Sequence, residues 1–171
     1  MKSTDDAASL TAEASICITP PGTRGVRIPS PILGLFKIGG ALLVWMYRRL
    51  GSLLSRTEFR MVLLTTRGAK TGRMRTSPLG GFTSAENEWL VVGSNAGSAR
   101  HPAWLFNMAK HPDDIWLEVG RLRLKVRAKT LEGPERSEAL ARIAAIAPPY
   151  SNYQTKTDRE IPILRLTREP E

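Results

Sequence analysis

Thr65-Thr66-Arg67-Gly68-Ala69-Lys70-Thr71-Gly72-Arg73-Met74-Arg75-Thr76-Ser77-Pro78 is the stretch on which the fold reading turns. Ahead of the bend, Phe59–Thr66 is apolar on both faces, as expected for a strand covered from two sides. Gly68 and Gly72 can take positive φ and let the chain reverse, and Met74–Phe82 runs back as a second strand. A strand that turns straight back makes an antiparallel pair, unlike the long crossovers of a parallel sheet.

Working outward, the polar turn Ser84–Asn87 leads to a third strand, Trp89–Gly93. Pro102–Lys110 reads as a short helix closed by His111-Pro112. Ile115–Val119 and Leu122–Lys129 make a second hairpin around Gly120-Arg121, with Leu122, Leu124 and Val126 alternating against Arg123, Lys125 and Arg127. Pro134–Ala147 is an alanine-rich amphipathic helix, and Ile161–Leu166 is a last strand. The expected class is mainly β (α+β): about six mostly antiparallel strands in a small barrel, with peripheral helices.

Before residue 58 the pattern differs. Residues 1–30 are polar and interrupted by Pro20, Pro21 and Pro29, which reads as a flexible N-terminal arm. Asp5, Asp6 and Glu13 stand where a secretory signal needs basic residues before an apolar run. An amphipathic helix follows over 31–57, with Ile32, Leu35, Phe36, Leu42, Leu43, Met46, Leu50, Leu53 and Leu54 at helical spacing. Its apolar stretch is about half of the ~20 residues that a membrane span requires. It should therefore lie on the domain's own core or in a membrane interface, where Trp45, Tyr47 and the flanking arginines suit. Residues 58–171 form the barrel domain.

With 171 residues, 42% of them apolar, the chain has room for one domain with a real core. Its single Cys17 excludes an internal disulfide and suits a reducing cytoplasm. The net charge of +9 calls for an anionic partner: nucleic acid, a membrane surface or a charged small molecule. The cations fall in three groups, Arg48–Arg56, Arg67–Arg75 and Arg121–Lys129.

Several chemistries are excluded. Gly68-Ala69-Lys70-Thr71 has alanine before the lysine and lacks the earlier glycine of a P-loop. His101 and His111 each precede a proline at a helix end, without partners at metal or triad spacing, and read as capping or surface residues; no metal site is expected. Around the bend, Lys70, Arg73 and Arg75 can hold a phosphate or carboxylate on a rigid turn. The small residues Ser94, Asn95, Ala96 and Gly97, with the helix beginning at Pro102, bring backbone amides and a positive dipole end to one place. Each motif alone is equally compatible with a solvated turn or a plain loop.

In order, these motifs resemble the deazaflavin (F420)-dependent nitroreductase family of split β-barrel oxidoreductases. The shared pattern is Thr-Thr-x-Gly-x-Lys-Thr-Gly-x-x-Arg-x-x-Pro-Leu at 65–79, then Ser94, Gly97, Pro102, Trp104 and Asn107. It continues with Tyr150-x-x-Tyr153 and closes on Thr157-Asp158-Arg159-x-Ile161-Pro162-Ile163. The resemblance implies a split β-barrel that binds coenzyme F420 and passes its hydride to a quinone, enone or nitroaromatic compound. It implies that Lys70 and Arg75 hold the phosphate and acidic tail, that Arg73 and Pro78 also belong to the cofactor site, and that Ser94, Asn95, Ala96 and Gly97 cradle the ring edge. Pro102, Trp104 and Asn107 support that pocket, while Tyr150 and Tyr153 wall the substrate side and are the candidate proton donors. Asn95 stands where many relatives carry a basic residue, and Thr155-Lys156 where they often carry an aromatic.

An FMN-binding barrel is the alternative cofactor reading. A nucleic-acid module is disfavoured, because no aromatic lies between Arg67 and Arg75 for bases to stack on. The expected protein is cytoplasmic, a monomer or homodimer, with a small-molecule electron acceptor and an open option of peripheral membrane contact through 32–56.

Overall fold

The computed structural model describes residues 16–26, 30–50 and 59–170, with side chains left undescribed at 30–38 and 50. The first fifteen residues, 27–29 and 51–58 lie outside the described set, and with them Leu53, Leu54 and Arg56 of the expected helix.

Six strands close into one antiparallel barrel: β1 (Phe59–Arg67), β2 (Met74–Ala85), β3 (Glu88–Val92), β4 (Ile115–Val119), β5 (Leu122–Thr130) and β6 (Ile163–Arg168). Around the wall the order is β1-β2-β3-β6-β5-β4, with β4 hydrogen-bonded back to β1. The β1–β2 bend pairs Arg67 with Met74 and Thr66 with Arg75, so the hairpin read from sequence is in place. The second hairpin pairs Val119 with Leu122. Closure leaves no open sheet edge, which removes the template for edge-to-edge aggregation.

Period-two alternation divides the strands between two cores. Val62 and Leu64, Val91, Leu117, Val126 and Leu166 point into the barrel. Phe82, Leu90, Val92 and Ile163 point outward beneath helix α3 (Gly133–Ile146), which answers with Ala139 and Ile143. One barrel mouth is plugged by helix α2 (Ala103–Lys110), whose Trp104, Leu105 and Met108 join the inner core. Burying each such side chain contributes about 1.5–3 kcal/mol, so α2 is fixed to the barrel.

Helix α1 (Ser30–Leu50) lies on the outer wall. Tyr47, 3% exposed, accepts a hydrogen bond from the Gly120 amide at 2.7 Å, and Arg48 grips Glu118 through two nitrogens at 2.9 and 2.6 Å. The helix thus packs on the barrel through Tyr47 and Arg48, while Leu42, Trp45 and Met46 are exposed.

The sequence reading puts residues 16–26 in a free arm; here they run as an extended strap along the barrel. Ile16 and Ile18 pack on the inner core, and the Cys17 amide donates to Thr130 Oγ1 at 3.0 Å. Further along, the Gly22 amide donates to the Ala99 carbonyl and the Val26 amide to the Gly97 carbonyl, each at 2.9 Å. The Ile-Cys-Ile alternation is the physical cause: it gives an apolar edge that a polar arm would lack.

Candidate functional site

At the β1–β2 bend, Gly72 has φ +68, and the Gly68 amide donates to the Arg73 carbonyl at 2.9 Å. The bend is held to α2 by one buried side chain. Asn107 Oδ1 accepts from the Ala69 amide at 2.9 Å, and its Nδ2 donates to Thr66 Oγ1 at 3.1 Å. Lys110 Nζ adds a bond to the Ala69 carbonyl at 2.8 Å. Asn107 is therefore a brace with both ends occupied. Trp104 is likewise buried, in the inner core beneath α2.

Lys70, Arg73 and Arg75 are exposed. Among the described residues none of the three is in an ion pair, whereas neighbouring Arg67 pairs with Asp114 at 2.7 Å. The third basic group is largely paired. Lys125 and Arg127 share Glu169 at 3.2 and 3.3 Å, Lys129 faces Glu135 at 3.9 Å, and Arg123 lies over the Trp116 ring.

The connection from β3 to α2 is strained. Asn95, Ala96 and Gly97 all have positive φ, at 44, 54 and 79. Left-handed residues other than glycine cost of order 1 kcal/mol each, so other bonds must hold them. The Gly97 amide donates to the Ser94 carbonyl at 2.9 Å, the Ser98 amide to the Asn95 carbonyl at 3.0 Å, and Asn95 Nδ2 to the Arg100 carbonyl at 2.9 Å. Ser94 is right-handed and Asn95 left-handed, the succession that turns consecutive amides toward one side. No acceptor among the described residues takes the amides of Asn95 and Ala96. Such a pair of amides has the donor geometry that an anion can accept from. Pro102 is extended and stands at the N-cap, so α2 begins one residue later than expected, at Ala103.

Helix α4 (Pro149–Lys156) carries both tyrosines and lies against this turn. A methyl group added at Gly97 would stand 2.9 Å from Lys156 Cβ and 3.3 Å from the Tyr153 carbonyl. The Tyr150 and Tyr153 rings meet edge to face at 5.5 Å, and Tyr150 also packs on Phe82 at 5.3 Å. The Tyr150 hydroxyl sits over Gly80 of β2, in space that a Cβ there would occupy. Burial, and then the neighbouring Tyr153, raise the Tyr150 pKa above its usual 10.0, so the phenol stays protonated at neutral pH. Pro78, half-buried, lies on the same β2 face between Gly80 and the bend. Arg75 and Gly80 are five strand residues apart, about 17 Å at ~3.4 Å per residue, and start from opposite faces of β2, so the cations and the tyrosines are well separated along the strand.

Sequence reasoning passed over two residues here. His101, expected to be capping or surface, is buried, while His111 does occupy the C-cap of α2. Arg159 is 3% exposed and its guanidinium is spent on the β3–α2 connection. Its Nη2 donates to the Gly93 carbonyl at 2.9 Å and the Ser94 carbonyl at 2.8 Å, and its Nε to the Ser98 carbonyl at 2.8 Å. The signal was present in Asp158-Arg159, but neither burial nor partners are legible there. Asp158 anchors the strap through the Thr23 hydroxyl and the Arg24 amide, bonds that hold its pKa at about 2.

The profile of a family described as F420H(2)-dependent quinone reductase matches residues 41–168. An F420H(2)-dependent quinone reductase of Mycobacterium tuberculosis (strain ATCC 25618 / H37Rv) is 37% identical over 112 residues, 63% of this chain and 72% of that protein. A putative F420H(2)-dependent quinone reductase of Mycobacterium bovis matches with the same figures. Among solved structures, an F420-H2 dependent reductase superposes with a TM-score of 0.56 at 37% identity, over 62% of this chain and 92% of that one. A structure described as a domain-swapped dimer gives 0.59 at 33% identity, over 80% and 99%.

Proposed function

The chain belongs to the F420H(2)-dependent quinone reductase family, and from that premise we propose that the surface from the β1–β2 bend to α4 binds reduced F420 and a quinone. One observation carries this reading: Asn107 ties the bend that bears the unpaired cations to α2, the helix into which the turn with the unpaired Asn95 and Ala96 amides leads. The donor set fits the cofactor. Lys70, Arg73 and Arg75 suit a phosphate and an acidic tail, with charge-assisted bonds that Arg75 can make bidentate. The Asn95 and Ala96 amides, with Ser94 and Gly97 beside them, suit the electron-rich edge of the ring.

Held by these residues, reduced F420 would supply the hydride that an electron-poor acceptor takes up. The protein's part is to place, shield and protonate. Tyr150 and Tyr153 wall the acceptor's side, and the Tyr150 phenol, kept protonated by its surroundings, can give a hydrogen bond or proton to a quinone oxygen. Gly80 leaves room for that hydroxyl. Enones and nitroaromatics, also electron-poor and flat, are further acceptors to try.

The same reading gives α1 a place at an anionic membrane surface, where apolar quinones dissolve. Leu42, Trp45 and Met46 are exposed on it, with Arg49 over the Trp45 ring at 5.7 Å. No described helix is long and apolar enough to cross a membrane. We place the protein in the cytoplasm and expect a homodimer. Anaerobic titration with F420 and with FMN tests the assignment, followed by quinone-dependent oxidation of the reduced cofactor. Tight binding of F420 with turnover supports it; binding of FMN in preference to F420 refutes it.

A further inference from the structure

Among the described residues Arg159 has no carboxylate partner, and burial acts on its pKa, downward. Its charge is met by the carbonyls of Gly93, Ser94 and Ser98, and by Nδ1 of His101 at 3.2 Å. An arginine can only donate, so Nδ1 accepts and His101 is neutral with its proton on Nε2. Nε2 then donates to the Thr19 carbonyl at 2.8 Å, which joins the strap to the same assembly.

Which carbonyls Arg159 grips is informative. In a trans peptide the C=O and the following N–H point in opposite directions. Holding the Gly93 oxygen therefore aims the Ser94 amide away from Arg159, and holding the Ser94 oxygen aims the Asn95 amide. A positive charge on those oxygens also strengthens the amides as donors. Building on the assignment of this surface to F420, we propose that Arg159 is a positioning residue that orients and polarises the Ser94 and Asn95 amides toward the cofactor's anionic ring edge, and that neutral His101 is required to seat it.

The consequence is a proton-dependent grip. A proton on His101 Nδ1 would set one donor against another, and Arg159 would leave its seat. The groups facing His101 are Arg159 from the α4–β6 connection, the Thr19 hydroxyl and carbonyl from the strap, and the Phe106 ring from α2 at 6.1 Å. Among the described residues no carboxylate pairs with it. Burial, opposed by the Thr19 and Pro20 backbone bonds and aided by Arg159, lowers the His101 pKa from 6.5. The neutral form is thus the folded form. Its contribution is complete above the ordinary histidine value and is lost as pH falls through the lower folded one.

Two variants test this: Arg159→Lys, which keeps the charge but not the fork, and His101→Asn, which keeps an acceptor for Arg159 but cannot be protonated. The first readout needs no cofactor. Amide exchange protection at Gly97 and Ser98 in the free protein should fall about tenfold in Arg159→Lys. In wild type it should fall between neutral pH and about pH 5, and in His101→Asn it should not. The second readout is the F420 dissociation constant over the same pH range, taken as the ratio of wild type to His101→Asn so that the cofactor's own ionisation cancels. That ratio should rise about tenfold toward acid. Unchanged protection in Arg159→Lys, or the same pH response in His101→Asn as in wild type, overturns the proposal. Failure of F420 to bind wild type at any pH refutes the cofactor assignment instead, and leaves the exchange result to judge the seat.

Discussion

The β1–β2 bend and strand β5 carry similar numbers of cations and do different things with them. On β5, Lys125, Arg127 and Lys129 point outward in register, and Glu169 and Glu135 come up to meet them. At the bend, Lys70, Arg73 and Arg75 have no such partners among the described residues, and the backbone beneath them is pinned by Asn107. A neutralised basic strand is a solvated wall of the barrel. An unneutralised basic turn on a fixed frame holds unspent attraction for an anion. Net charge therefore says that an anion is wanted, and pairing says where.

The largest effect should come from removing the free cations. Lys70→Ala and Arg75→Ala should each weaken F420 binding by about 1.5–3 kcal/mol, the scale of a charged hydrogen bond. The double variant, measured by fluorescence titration, should lose the sum or more. Unchanged affinity in both single variants would make the bend no different from β5.

Next is the far end of the surface. Tyr150→Phe should cut quinone-dependent turnover by about a hundredfold and leave F420 affinity within about twofold of wild type. Steady-state rates set beside a binding isotherm separate the two, and a loss of affinity with normal turnover would place Tyr150 on the cofactor's side.

Gly80→Ala should act on the same hydroxyl from below. Its new Cβ would displace the Tyr150 side chain, so kcat should fall about tenfold, with a melting loss of about 1–3 kcal/mol from overpacking. A variant that melts lower but turns over normally would mean that the position of the hydroxyl is not important. The smallest effect sharpens the contrast. Glu169→Gln unmasks Lys125 and Arg127, yet should leave F420 affinity unchanged and cost at most about 1 kcal/mol of stability, as exposed pairs do.

What could be read from sequence follows from how local each signal is. The barrel was legible because hairpins and period-two alternation are neighbour effects: Gly68 and Gly72 announce the bend, and Leu122, Leu124 and Val126 announce a strand. The bend's cations and the small-residue turn were legible for the same reason. Pairing was not. Nothing near Lys125 in the chain foretells Glu169, and nothing near Gly93 foretells Arg159; the first partner arrives from beyond two helices and the second from beyond three. The strap was missed because its prolines hide the Ile16–Ile18 alternation, and its anchors, Thr130, Ala99 and Asp158, are all distant in sequence.

The central claim is that the unpaired cations and the unpaired amides receive one ligand together. Amide chemical-shift mapping of the 15N-labelled protein during an F420 titration tests it most directly. The account predicts that signals of Lys70, Arg75, Asn95 and Ala96 move on a single isotherm while those of Lys125 and Arg127 stay still. Movement confined to β5, or at the bend without the 94–97 turn, would contradict it.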